Sequence, residues 1–210
     1  MTSRFSFPRA LVVLLVGACS WALVGCSGGG SEAGAQSSEV MMSGQYVVGE
    51  DGRLVQPETA ASVPSLDPAA LQFNETGAEL AARHFLELLE YAWATGDTQP
   101  ARDFSSETCT FCTSIADEIS TLYSSSGWAF GLKYQVTQII KIEQLPEVES
   151  PSTYAVLLNV HANPADRYED GQLVTQAEVS EDLALWLRWT GTQWMIEGGA
   201  SIDPTEAPQS

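Results

Sequence analysis

The chain has 210 residues and carries 27 acidic against nine basic side chains, which gives a formal charge of −18 at pH 7. We expect no nucleic-acid binding, because that function needs clustered lysine and arginine against phosphate. The length fits one domain with an additional tail, and six Trp, six Tyr and seven Phe can fill a modest core.

The N-terminus has the pattern of a bacterial lipoprotein signal. Arg4 and Arg9 precede an uncharged apolar run over 10–24, and the motif Leu23-Val24-Gly25-Cys26 closes it. The run of about 15 residues is shorter than the roughly 20 that a membrane-spanning helix needs. We therefore predict that residues 1–25 are removed and that a lipid on Cys26 holds the protein on the extracytoplasmic face of the cell membrane. The removed part contains two arginines and no acid, so the mature charge is −20.

Residues 26–70 have the composition of a flexible, disordered tether. Gly, Ser, Ala and Pro are frequent there, and the apolar residues show little periodicity. One exception is the pair of segments 45–48 and 53–55, which flank Asp51-Gly52 and predict a small hairpin. An isolated hairpin is only marginally stable in water, so we expect it to be weak.

Residues 71–203 predict a folded domain that begins with three helices. Thr76 and Glu79 have capping-box spacing at the start of the first helix, and Gly96 ends it. A short second helix is expected over 97–104, and a third from about 108 to 123. The residues predicted to form the buried stripe of the first helix are Ala78, Ala81, Ala82, Phe85, Leu89 and Ala92.

The apolar period changes after residue 127 from that of a helix to that of a strand. Alternating segments lie over 132–142, 154–162, 173–179 and 183–189, and Trp194 and Ile196 open a last one. Whether 172–190 forms one long bent strand or two stays open. The prediction is an α+β domain with its helices packed on a curved, cone-like antiparallel sheet of about four to five strands, followed by a loose tail over 204–210.

Three helices before a curved sheet resemble the nuclear-transport-factor-like, or cystatin-like, cone fold. The end of the predicted domain is similar as well, because a strand over 183–189 is followed by a tight turn and by a last strand that includes 193–196. The sequence also resembles a group of uncharacterised actinobacterial lipoproteins. The motifs that carry this resemblance, besides the lipoprotein motif, are Gly77-Ala78, Thr95-Gly96-Asp97 and Cys109-Thr110-Phe111-Cys112. The resemblance covers roughly residues 66–200. It implies a concave side that binds ligands, but the superfamily contains both enzymes and binding modules, so it implies no activity.

Cys109 and Cys112 form the sharpest motif, and three interpretations compete. Export favours a structural disulfide, because disulfides persist outside the cytoplasm. A Cys-x-x-Cys at a helix start also suits a redox pair, since the helix lowers the thiol pKa. The third interpretation is half of a zinc site, which would need His84 and His161 as further ligands. We favour the disulfide and expect no metal and no cofactor.

Strand alternation places four aromatic residues on the concave side as ligand-pocket candidates. They are Tyr134, Tyr154, Trp189 and Trp194. Aromatic residues at strand spacing more often belong to the core, so the structure has to distinguish the two roles.

We assign no catalytic residue from the sequence. The inward strand positions contain neither His nor a carboxylate, although loops could deliver Asp166, Glu169 or Asp170. His84 is expected to be partly exposed on the first helix, and neither it nor His161 has a local group to orient its imidazole.

These observations favour a lipid-anchored, extracytoplasmic, non-enzymatic binding or interaction module. The alternative is a small-molecule enzyme, isomerase-like or dehydratase-like, that uses the cone pocket. The expected partners are the membrane, through the lipid on Cys26, and an envelope protein or a small ligand. An apolar patch around Leu157 and Trp186 would indicate an assembly partner, and a homodimer through the sheet is a related hypothesis.

Overall fold

The structure is a computed structural model that describes residues 41–146 and 152–202. All of them fall in the unit Glu39–Ser210. Cys26, the predicted signal 1–25 and the tail 204–210 lie outside the described residues. Within the described part, no helix is both long and apolar enough to cross a membrane.

Three α-helices precede the main strands, as predicted. They are α1 (Glu75–Thr95), α2 (Gln99–Asp103) and α3 (Thr110–Ser124), and a single 3-10 turn, Pro68–Ala70, comes before them. The six residues predicted for the inner stripe of α1 are all buried: Ala78, Ala81, Ala82, Phe85, Leu89 and Ala92.

The ends of α1 are fixed by Asn74 and Gly96. The Asn74 side-chain oxygen accepts a hydrogen bond of 2.8 Å from the Gly77 N–H, so the helix begins before the capping box predicted at Thr76. Gly96 ends the helix in the left-handed conformation, with φ of 78°. A Cβ there would also lie 2.6 Å from the Tyr123 ring, so both the backbone and the packing require glycine.

Nine strands are found among the described residues, in three antiparallel sheets. The main sheet has the order β4 (Tyr134–Gln144), β5 (Thr153–Ala162), β8 (Val179–Trp189) and β9 (Trp194–Ile202). A second sheet contains β3 (Trp128–Phe130), β6 (Ala165–Glu169) and β7 (Gln172–Gln176). The predicted stretch 172–190 is therefore two strands, which belong to different sheets. The main sheet has the four strands expected, and the α+β class is confirmed.

The core lies between the helices and one face of the main sheet. Phe85 of α1 packs in one cluster with Leu158 of β5, Leu185 of β8 and Ile196 of β9, all of them fully buried. Burying one such side chain contributes about 1.5–3 kcal/mol. The alternation of apolar residues in the sequence thus identifies the inner face of β5 and β8 correctly. In β4 it is wrong at Ile140, because register shifts after Val136 turn Ile140 outward and place Ile139 against the core.

Residues 41–70, assigned to the tether by composition, lie against this domain. The hairpin β1 (Met42–Ser43) and β2 (Tyr46–Val47) opens the segment, and the bridge between Val48 and Leu54 closes the turn predicted at Asp51-Gly52. Tyr46 is only 3% exposed, and its ring centroid lies 5.1 Å from that of Trp128. This tyrosine is the main apolar contact of the segment.

Several hydrogen bonds hold the rest of the segment, among them one from the Trp128 indole to the Leu54 carbonyl at 3.1 Å. The Gln56 amide donates hydrogen bonds to the Ala94 carbonyl at 2.8 Å and to the Tyr123 hydroxyl at 3.0 Å. The Trp194 indole N–H donates to the carbonyl of the buried Ala70 at 2.9 Å. The segment therefore contacts the domain at several points along its length.

Candidate functional site

A cavity of about 190 Å³ lies where the two larger sheets meet α1 and α3. We call it the Trp93–Tyr134 cavity. Its apolar lining includes Trp93, Leu132, Tyr134 and Val179. Its charged lining residues are Glu118, Asp166, Arg167 and Glu181. Apolar walls with a few fixed polar groups are the usual composition of a small-molecule site.

Tyr134 is held at the first position of β4. Its backbone N–H donates to Glu90 Oε1 at 2.5 Å. Burial raises the pKa of Tyr134 to about 12, and the negative charges of Glu181, Glu90 and Glu118 add to the effect. The phenol therefore stays protonated at neutral pH.

Arg167 supplies the cation of the cavity and is fully paired within the chain. Its guanidinium binds Glu118 at 2.6 Å and Glu169 at 3.1 Å. Its central carbon also lies 5.5 Å from the centroid of the Trp93 ring, at the distance of a cation–π contact. These contacts fix both the arginine and the indole.

Asp166 is oriented by two hydroxyl groups. Thr175 donates to its Oδ1 at 2.5 Å, and the Tyr46 hydroxyl donates to its Oδ2. These hydrogen bonds, from Thr175 first and then Tyr46, lower the pKa of the carboxyl. The Gln45 amide also donates to Oδ2, at 3.3 Å. Asp166 is therefore ionised at neutral pH, and two of its three donors, Gln45 and Tyr46, come from the N-terminal segment.

The cavity has more negative than positive charge. The single positive charge of Arg167 is shared by Glu118 and Glu169, whereas Asp166 has no cationic partner in the described structure. The Glu181 carboxylate likewise has no ion pair or hydrogen bond to any described residue. Aromatic walls and a net negative charge therefore occur together at this place.

The four aromatic candidates from the sequence separate into two places. Tyr134 is the one that lines the Trp93–Tyr134 cavity. Tyr154, Trp189 and Trp194 instead pack with Phe73, at centroid distances from 5.5 to 6.3 Å, and Trp194 also packs with Tyr154 and Trp189. Tyr154 and Trp194 are buried in the core.

Cys109 and Cys112 lie at the start of α3, with their sulfurs at the bonding distance of 2.05 Å. Cys109 is the N-cap residue, and its sulfur accepts a hydrogen bond from the Cys112 N–H at 3.1 Å. Cys109 is fully buried, whereas Cys112 borders a second cavity of about 280 Å³. No cluster of three or more His, Cys, Asp or Glu in the described ranges is placed to hold a metal ion.

The two histidines lie apart from the Trp93–Tyr134 lining. His84, expected to be partly exposed, is only 8% exposed and packs edge-on against Phe104. Its Nδ1 has no hydrogen-bond partner among the described residues and lies 3.6 Å from Glu87 Oε2. Burial lowers the pKa of His84, and the Glu87 charge opposes this shift. His161 lies on β5 with its Nδ1 3.0 Å from the Ser180 hydroxyl.

The outer face of the main sheet carries the residues expected there. Trp186 is 36% exposed, and Leu157 is half-buried. Both lie on the face opposite the helices, where Trp186 is paired with Ala155 on β5 and with Gly198 on β9.

Several solved structures are similar to this chain in fold. The intermembrane space region of the chloroplast protein ARC6 has a TM-score of 0.49 at 9% identity, over 62% of this chain and 98% of that one. The β subunit of benzoate 1,2-dioxygenase from Burkholderia mallei has 0.44 at 9% identity, over 66% and 96%. An uncharacterized protein with a cystatin-like fold from Caulobacter vibrioides has 0.40 at 11% identity, over 60% and 91%. At these identities the likeness concerns the fold alone.

Curated proteins gave no match to the chain. A family model, in contrast, matches residues 50–200, a range that contains every helix of the described residues and all the cavity residues named above. The chain therefore belongs to DUF6318, a family of unknown function.

Proposed function

We propose that the mature protein is a lipid-anchored, extracytoplasmic binding module that holds a small ligand in the Trp93–Tyr134 cavity without transforming it. The observation that carries this proposal is the chemistry of the cavity lining. Trp93, Tyr134 and several aliphatic side chains surround charged groups, and other contacts fix Glu118, Asp166 and Arg167 among them. Such preorganised groups favour binding, because little entropy is lost when the ligand arrives.

The titration behaviour of the lining supports binding over catalysis. A general acid or base works best with a pKa near the working pH. The pKa of Tyr134 is about 12, because of its burial and the nearby carboxylates, and the pKa of Asp166 is lowered by its hydrogen bonds. Asp166 also already accepts hydrogen bonds from two hydroxyl groups, so its oxygens are less free to take a proton from a ligand.

The lipid anchor rests on the motif that ends at Cys26. Acyl chains bind membranes through about 0.8 kcal/mol per buried methylene, so two or three of them hold a protein firmly. Replacing Cys26→Ala in the native host should move the protein out of the membrane fraction. A variant that still fractionates with membranes would overturn the anchor.

The ligand test compares two alanines on the same strand. Ala162 lines the cavity, whereas Ala155 lies on the outer face of β5 opposite Trp186. Wild type, Ala162→Phe and Ala155→Phe are purified from native membranes, and the small molecules released on denaturation are identified. We expect a compound that accompanies wild type and Ala155→Phe and is lost from Ala162→Phe, since the phenyl ring fills the cavity. Equal small-molecule content in all three would contradict the proposal.

The same material tests the enzyme alternative. The released compound is returned to wild type and to Ala162→Phe, and its chemical identity is followed over time. Unchanged compound supports the binding module. Conversion of the compound by wild type but not by Ala162→Phe would contradict the binding module and indicate an isomerase-like or dehydratase-like activity in this cavity.

A further inference from the structure

We infer that the Trp93–Tyr134 cavity binds an aliphatic ammonium group, carried on a short alkyl chain. This inference rests on the proposed function and adds the chemical class of the ligand. It is argued from the charge balance, the aromatic wall and the size of the cavity.

The charge balance leaves carboxylates for a cation to pair with. Glu118 is neutralised by Arg167, and Glu90 by Lys133 at 2.7 Å. Asp166 and Glu181 remain without a cationic partner in the described part of the chain. A cation that enters the cavity is attracted by both, whereas an anion is repelled in a protein whose formal charge is already −18.

The aromatic wall favours the same ligand class. Trp93 lines the cavity, although the Arg167 guanidinium already lies 5.5 Å from its ring centroid and occupies one cation–π contact of that indole. Tyr134 offers a second aromatic side chain in the same cavity. Leu132 and Val179 add alkyl surface, which suits a methylene chain next to the ammonium group.

The lining argues for an organic cation instead of a metal ion. Calcium takes six to eight oxygen ligands, and magnesium demands an octahedron of them. Here the two unpaired carboxylates share the cavity with tryptophan, leucine and valine side chains, and Asp166 already accepts two hydroxyl groups. An ammonium group needs only two or three acceptors and tolerates the apolar surroundings.

The volume limits the ligand to a small molecule or a single side chain. A cavity of about 190 Å³ is smaller than the roughly 300–1,000 Å³ of sites for drug-sized ligands. A free alkyl diamine fits this range, and so does one lysine side chain of a polypeptide. Both present the same ammonium group, and their affinities distinguish the two sources.

The test is calorimetric titration of the full-length protein in detergent at low salt. Cadaverine represents the free amine, and Nα-acetyl-lysine amide represents a side chain of a polypeptide. Pentanol and Nα-acetyl-norleucine amide are their neutral counterparts. We expect the charged probe of at least one pair to bind well above its neutral counterpart, and its affinity to fall as salt rises. The tighter of the two charged probes identifies the source.

Matched variants locate the binding. Glu181→Gln should weaken the ammonium probe about fivefold, the upper range for a partly exposed charge pair. Glu143→Gln, at an exposed position on β4 paired with Lys141, should leave it unchanged. Equal binding of charged and neutral probes, or equal affinity of wild type and Glu181→Gln, would overturn the inference. If a neutral or anionic compound nevertheless accompanies wild type and is lost from Ala162→Phe, the proposed function stands and only the ammonium class is wrong.

Discussion

The Trp194 indole donates a hydrogen bond of 2.9 Å to the carbonyl oxygen of Ala70. Both residues are fully buried, so the bond joins the 3-10 turn to the inner face of β9 inside the core. Through this bond the backbone of the segment before α1 contacts the centre of the domain.

Removing this bond should destabilise the protein. Trp194→Phe leaves the Ala70 carbonyl buried without its donor and removes ring volume, so we expect a loss of about 2–4 kcal/mol. The free energy of unfolding is measured by urea denaturation. Trp186→Phe, on the outer face of the same sheet, is the control and should change stability by less than about 0.5 kcal/mol. Equal losses in the two variants would contradict the role of the bond.

Gly199 and Gly198 are adjacent and test the packing of α3 on β9. A Cβ at Gly199 would lie 2.6 Å from the Phe111 ring, whereas one at Gly198 would lie 3.2 Å from Trp186. Gly199→Ala should therefore cost about 1–3 kcal/mol through overpacking. Gly198→Ala should cost less than about 1 kcal/mol, because the partly exposed Trp186 ring can move and the unfolded chain loses entropy. Thermal unfolding of both variants gives the comparison, and a reversed order would refute it.

We expect the burial of His84 to lower the free energy of unfolding in mild acid. Burial lowers the pKa of His84 in the folded state below its unfolded value, which is about 6.5. The unfolded chain therefore binds this proton first, and the penalty grows as the pH falls from about 6.5 toward the lower folded pKa. Above that window the residue contributes no penalty.

The His84 effect is measured as the change in urea midpoint between pH 7.5 and pH 5.5. His84→Gln should show a smaller decrease than wild type, because glutamine binds no proton. His161→Gln, on the outer face of the sheet, should retain the wild-type decrease. The interpretation is wrong if His84→Gln and wild type lose the same stability over this range.

The cysteine pair predicts the thiol content of the mature protein. Cys109 and Cys112 are joined, and the proposed lipoprotein processing would remove Cys19 and place a lipid on Cys26. Titration with a thiol reagent, first on native protein and then in denaturant without reductant, should detect no free thiol. Two thiols per chain would exclude the structural disulfide and favour the redox interpretation.

The sequence predicts the parts of the fold that depend on local periodicity. The inner stripe of α1 and the alternation of β5 and β8 follow from apolar spacing alone, and all are found. It does not locate the break between β7 and β8, because apolar residues keep alternating across 177–178 while the chain passes from one sheet to the other.

The cavity is only partly predictable for a different reason. Tyr134 follows from strand alternation, whereas Asp166, predicted to lie in a loop, is found on the strand β6. Trp93 and Glu118 belong to different helices, and Arg167 to a strand that pairs with β3. Only tertiary packing brings these side chains together, so the spacing of residues along the chain does not indicate that they are neighbours. The signal for the cavity in the sequence was Trp93, a large aromatic residue in the last turns of α1.

The Tyr46–Asp166 hydrogen bond also has a practical consequence. The family match begins at residue 50, and a fragment cut at that boundary would lack the Tyr46 ring that packs on Trp128. It would also lose one of the two hydroxyl groups that orient Asp166 in the cavity. Binding measured on such a fragment would describe an altered site, so material for ligand studies should retain the chain from at least Met42, where the first hairpin begins.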